Sequence, residues 1–157
     1  MSNPATFTNN IAVCSWSLQA KDTSELIRMV RSTGLNKVQL ALNDHRGSEG
    51  GAAIGVELAK AGIEIVSGMF GTVGEDYSTL ETIKRTGGVF PDEHWEANQQ
   101  IARDVVEAAR SLGLDLVSFH AGFLPEDQND PHYEKLINRL RTLAKLFDDS
   151  GIALSFE

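Results

Sequence analysis

Residues 150–157 read SGIALSFE, and the parsing of this octet decides the fold. Gly151 suits the left-handed position that closes a helix, where a side chain costs energy. The residues after it alternate, with Ile152, Leu154 and Phe156 on one side and Ala153, Ser155 and Glu157 on the other. That is the period of a strand with one apolar face. The same passage from helix to glycine to strand occurs in STGLNKVQLAL (32–42), KAGIEIVSG (60–68) and SLGLDLVSFH (111–120), with Gly34, Gly62 and Gly113 in the place of Gly151. A further strand, IAVCSWS (11–17), precedes them all.

Helical patterns fill the intervals. Residues 22–32 open with Asp22 and Glu25 at capping-box spacing and carry Leu26, Ile27 and Val30 on one face. A shorter helix is expected over 52–61. A third over 91–112 begins at Pro91 and has the stripe Ile101, Val105, Ala108 and Leu112; a fourth over 131–149 has Leu136, Leu140, Leu143 and Phe147. Strand and helix alternate, which by the right-handed crossover rule predicts a parallel sheet. Long connections at 69–90 and 121–130 follow strand ends, where α/β proteins keep their sites.

An open doubly wound sheet and a barrel segment both fit this alternation. The open sheet requires central strands that are apolar on both faces. In KVQLAL, Val38, Leu40 and Leu42 oppose Lys37, Gln39 and Ala41; in DLVSFH, Val117 and Phe119 oppose Leu116, Ser118 and His120. One apolar face, with the other becoming small or polar toward the strand tips, is the asymmetry of a barrel. The loop SWSLQAKDT (15–23) also lacks the glycines of a nucleotide-binding turn.

The totals fit one globular domain over 1–157, with 41% hydrophobic and 23% charged residues. A net charge of −8, from 22 acidic against 14 basic residues, argues against nucleic acid or an anionic membrane as the main partner and favours a small molecule. Cys14 is the single cysteine, so no internal disulfide can form. No apolar run approaches the ~20 residues of a membrane span, and MSNPATFTNN (1–10) lacks a secretory pattern. The expectation is a cytoplasmic protein.

CSWSL on the first strand, SFHAGFLPED after the fourth and GIALSFE at the fifth together resemble the xylose isomerase-like (β/α)8 barrels, the sugar phosphate isomerase/epimerase superfamily that also includes endonuclease IV. The resemblance implies the first half of such a barrel, stopping at strand 5, because a whole barrel takes about 250 residues. It also implies that Glu157 is the first of four ligands to a divalent metal (Mn, Mg, Co or Zn) and one of two carboxylates that exchange a proton with an enediolate. His120 lies at a strand tip on the polar side, where a barrel enzyme contacts substrate; metal ligation by it follows only from the endonuclease branch. Trp16 is placed to wall a sugar pocket, Gln39 to hydrogen-bond a hydroxyl, and Gly68 to let substrate approach the third strand. His45, His94 and His132 read as solvated. The expected activity is metal-dependent isomerisation or epimerisation of a carbohydrate, with the half-barrel inactive by itself and prone to homo-oligomerise through open edges. Lyase-type cleavage of a 3-keto-glycoside and a non-catalytic half-barrel binding module remain alternatives.

Overall fold

A computed structural model of the chain describes residues 11–156. Its strands are β1 (Val13–Cys14), β2 (Lys37–Ala41), β3 (Glu64–Phe70), β4 (Leu116–Phe119) and β5 (Ala153–Phe156). The helices are α1 (Ser15–Leu18), α2 (Thr23–Ser32), α3 (Gly47–Lys60), α4 (Leu80–Thr86), α5 (Trp95–Ser111, after a 3-10 turn at Asp92–His94) and α6 (Pro131–Asp148). The strands pair in parallel in the sequential order β1-β2-β3-β4-β5. A doubly wound sheet reverses its strand order about a switch point, whereas a barrel adds strands in sequence. These five strands and their helices match the first half of a (β/α)8 barrel.

The register assigns the faces. Val13, Val38 and Ile65 are neighbours across β1, β2 and β3, as are Leu40, Gly68 and Val117, then Phe70, Phe119 and Phe156. Val38, Leu40, Leu42, Phe70, Val117 and Phe119 join Leu26, Val30, Ile54, Leu58, Val105, Leu140 and Phe147 in one core beneath the helices. Phe70 stacks on Phe119 at 5.0 Å and on Phe147 at 6.0 Å between ring centroids. Burying such side chains contributes roughly 1.5–3 kcal/mol each. The other face carries Cys14, Gln39, Ser67, Met69, Ser118 and Ser155.

Local chemistry explains most boundaries. Asp22 caps α2 by accepting from Glu25 N, and Asp130 caps α6 ahead of Pro131. Gly34, Gly62, Gly113 and Gly151 have φ between +67° and +76°, the helix-closing conformation expected of them. Three segments depart from the sequence reading. The first strand is only two residues long, because Ser15–Leu18 turns helical and ends at Gln19 with φ 50°. Helix α3 starts at Gly47 rather than near 52, since its glycines let it lie against α5: a Cβ on Gly51 would be 2.7 Å from Ala108 O. The connection at 69–90 holds α4, capped by Thr79 and Thr82, which bond each other's backbone N–H. No helix among the described residues is long and apolar enough to cross a membrane.

Candidate active site

The strand tips gather four side chains from distant parts of the sequence. Asn43, just beyond β2, donates from Nδ2 to Gly71 O at 3.0 Å and accepts from Gly71 N at 2.8 Å. This pair extends the parallel ladder by a side chain and fixes the backbone as it leaves β3. Gly71 leaves room here, since a Cβ would lie 3.3 Å from both Trp16 Cη2 and Glu75 Oε2. The Trp16 indole and the Glu75 carboxylate therefore meet over a bare backbone.

Glu75 is nearly sealed, with 10% of its side chain exposed. Its Oε1 accepts from Thr72 Oγ1 at 2.7 Å and, at 3.4 Å, from Gly88 N; Oε2 accepts from Tyr77 OH at 3.3 Å. His120 Nδ1 lies 3.9 Å from Glu75 Oε1, too far for a hydrogen bond. That nitrogen is shut off from solvent and has no hydrogen-bond partner, while the side chain as a whole keeps 26% exposure. Phe123 meets the ring edge-on at 5.9 Å and Tyr77 lies tilted at 6.2 Å.

A backbone clasp closes this corner. Val89 N donates to Ala121 O at 3.1 Å, and a Cβ on Gly88 would overlap the carbonyl of Ala121 and the nitrogen of Gly122. A Cβ on Gly122 would sit 2.6 Å from Gly87 O, and one on Gly87 3.0 Å from His120 Cε1. The β3–α5 connection thus crosses the tip of β4 backbone to backbone, and its glycines allow the approach that covers Nδ1. Asn98, on α5, accepts from Val73 N at 2.8 Å and anchors the near end of that connection.

The predicted site residues divide. His120 and Trp16 share the mouth, although Trp16 projects from α1 and not from a strand, with 42% exposure. Gln39 lies on the inner face and donates from Nε2 to Ser118 Oγ at 3.2 Å, which bridges over β3 on the floor of the sheet. Gly68 needs correction: its register puts it on the helix side, where a Cβ would be 2.5 Å from Leu42 Cδ1 and 3.2 Å from Val117 Cγ2. Its missing side chain makes room for the core, not for a ligand. Glu157 lies outside the described residues. His45, expected to be solvated, is half-buried in a cleft of about 450 Å³ beside Trp16, with Asp44 and Leu26 also on its walls. Burial holds the imidazole below its ordinary value, against the opposing influence of Asp44 and Glu57.

Sequence reasoning missed Glu75. It lies in an irregular loop with no periodic signal, and only the Gly87–Gly88 doublet and Gly122 could have indicated the close crossing that brings it to His120. Among the described residues, no three His, Cys, Asp or Glu side chains are grouped so as to hold a metal.

A parallel half-barrel with a polar, aromatic-walled mouth at the strand tips defines a class of α/β barrel proteins. The chain belongs to the xylose isomerase-like TIM barrel family, whose sequence model matches residues 20–157. Among solved structures it is similar to a xylose isomerase domain protein from Planctomyces limnophilus, with 23% identity, a TM-score of 0.74, and coverage of 83% of this chain and 48% of that one. It is also similar to a sugar phosphate isomerase/epimerase from Parabacteroides distasonis, with 17% identity, TM-score 0.62 and coverage of 93% and 53%. A third is the 3-keto-D-glucoside 4-epimerase YcjR from E. coli, with 12% identity, TM-score 0.62 and coverage of 92% and 54%. The chain therefore spans about half the length of the structures it matches. No significant match occurs among curated proteins.

Proposed function

We propose that this chain forms part of a sugar isomerase or epimerase and supplies one wall of its substrate pocket. The observation that carries the reading is the convergence of Trp16, Glu75 and His120 at the strand tips of a xylose isomerase-like fold. An indole face suits the apolar face of a sugar ring, and a partly exposed imidazole near it can hydrogen-bond a hydroxyl or carbonyl. In such a reaction a carboxylate removes the proton from the carbon next to a carbonyl, and the enediolate regains a proton on the neighbouring carbon or the opposite face. The name of the E. coli relative, a 3-keto-D-glucoside epimerase, supports a carbonyl-bearing carbohydrate as the substrate class.

The divalent cation implied by the family resemblance remains part of the proposal through Glu157. The described donors do not suffice for it: His120 and Glu75 approach each other, but no third ligand joins them.

The test is deuterium exchange in D₂O with ketoses and 3-keto-glycosides, using protein in which this chain is joined to any further β/α units its gene encodes. Carbon-bound proton exchange should be present and should fall at least tenfold in His120→Asn, with the melting temperature preserved. Absence of exchange with every such sugar refutes the reading. Loss of stability in His120→Asn with normal specific activity would make the histidine structural.

A further inference from the structure

Resting on the reading of His120 as a substrate contact, we propose that Glu75 is a positioning residue that fixes the tautomer of His120. The Glu75 carboxylate holds the proton on Nδ1, so that Nε2 meets the substrate as a hydrogen-bond acceptor for a sugar hydroxyl and not as a donor to a carbonyl. His120 Nδ1 is sealed from solvent and unpartnered, and a buried polar atom left in that state is unfavourable. The donors nearby, Thr72 Oγ1, Tyr77 OH and Gly88 N, are already directed at Glu75. The acceptor facing Nδ1 is Glu75 Oε1, at 3.9 Å.

An ionised carboxylate only accepts, and offers about four lone-pair sites; Thr72, Gly88 and Tyr77 occupy three of them. Oε1, the oxygen facing Nδ1, holds Thr72 firmly but Gly88 only at a long 3.4 Å, and Nδ1–H takes that weakly held position on it. Closing the gap by about 1 Å brings the pair to ordinary hydrogen-bond length, a small movement for a glutamate side chain. The opposite tautomer would set a bare Nδ1 lone pair against a carboxylate, leaving the nitrogen unsatisfied and the two facing lone pairs repelling. Which ring nitrogen carries the proton follows from the bond the other nitrogen's partner imposes, so Glu75 determines which partners Nε2 accepts at the mouth.

Long-range ¹H–¹⁵N NMR of the 157-residue chain reads this directly, at a pH where the imidazoles are neutral. His120→Asn assigns the signal among the four histidines. Wild type should show predominantly the Nδ1–H pattern. Glu75→Met, which fills the volume without an acceptor, should shift His120 to predominantly Nε2–H, the form favoured by an imidazole in water. Glu75→Gln, which keeps the shape but removes the charge, should lower the Nδ1–H fraction while the Val89 amide stays protected. A wild-type spectrum dominated by Nε2–H overturns the proposal without any variant, and so does an Nδ1–H pattern unchanged in Glu75→Met. The spectrum is recorded without substrate, so a carbohydrate reading that fails in the exchange assay leaves this result standing, and the two failures are distinguishable.

Discussion

Replacing Gly88 with alanine separates the cost of a left-handed backbone from the cost of collision. Gly88 has φ +67° and its Cβ would overlap Ala121 and Gly122 backbone atoms, whereas Gly34 has φ +76° and nothing within 4 Å of the same position. Gly34→Ala should therefore cost only the left-handed penalty of an L-residue, roughly 1–2 kcal/mol. Gly88→Ala adds an overpacking cost of about 1–3 kcal/mol, and because the obstacle is backbone no side-chain rotation relieves it. The sum, about 2–5 kcal/mol, is a large part of the ~5–15 kcal/mol by which domains are stable. With a urea slope of about 1–3 kcal/mol/M, a 3 kcal/mol loss lowers the unfolding midpoint by about 1–3 M. The chain has one way to avoid this: releasing the β3–α5 connection from the β4 tip. That release would expose the Val89 amide, now bonded to Ala121 O, and accelerate its hydrogen exchange. Urea unfolding and amide exchange on both variants and wild type therefore cover both outcomes. If Gly88→Ala is no less stable than Gly34→Ala and its Val89 amide exchanges as slowly as in wild type, the clasp does not exist.

Gly51→Ala should lower stability by about 1–3 kcal/mol in urea unfolding, because its Cβ would press to 2.7 Å on Ala108 O where α3 meets α5; a neutral result would mean that the two helices are not in close contact. His45 gives a pH dependence. Its folded pKa lies below the ordinary 6.5, so the unfolded chain takes up more protons as pH falls through 6.5, and stability declines until the folded imidazole also protonates. His45→Gln should remove that part of the slope in thermal unfolding measured across pH 5 to 7.5, and an unchanged slope would contradict the burial described for the ring. Calorimetric titration of the 157-residue chain with Mn²⁺ should give at most weak binding, because hard divalent cations want about six oxygen or nitrogen donors and the described residues do not group even three candidate side chains. A tight one-to-one site would refute this.

Features that report on their own neighbourhood were readable in the sequence. Each helix-closing glycine is a local backbone requirement, so Gly34, Gly62, Gly113 and Gly151 could be assigned without knowing the fold. The alternation in β2 and β4 likewise revealed which face meets the helices. Helix α1 was hidden because four residues carry no period, and the start of α3 because glycines that permit close helix packing look like helix breakers. Gly68 was misread because β3 contains a register shift that no alternation advertises. The place of His120 at a strand end was legible and that of Trp16 only roughly, since it lies on α1, whereas Glu75 joins them through a crossing of two loops whose contacts have no counterpart along the sequence.

The register shift in β3 limits how this protein can change length. Val38 pairs with Ile65 but Gln39 with Ser67, so Val66 is the extra residue on one side of the ladder. Below the bulge and above it, side chains of opposite sequence parity face the helices. Deleting Val66 would restore regular pairing with Ile65, Gly68 and Phe70 still facing the helices, whereas inserting a residue there would enlarge the bulge or turn Phe70, the middle ring of the aromatic stack, to the other face. A single deletion is thus open to this strand at the bulge, while insertions among its descendants should be confined to the connections on either side.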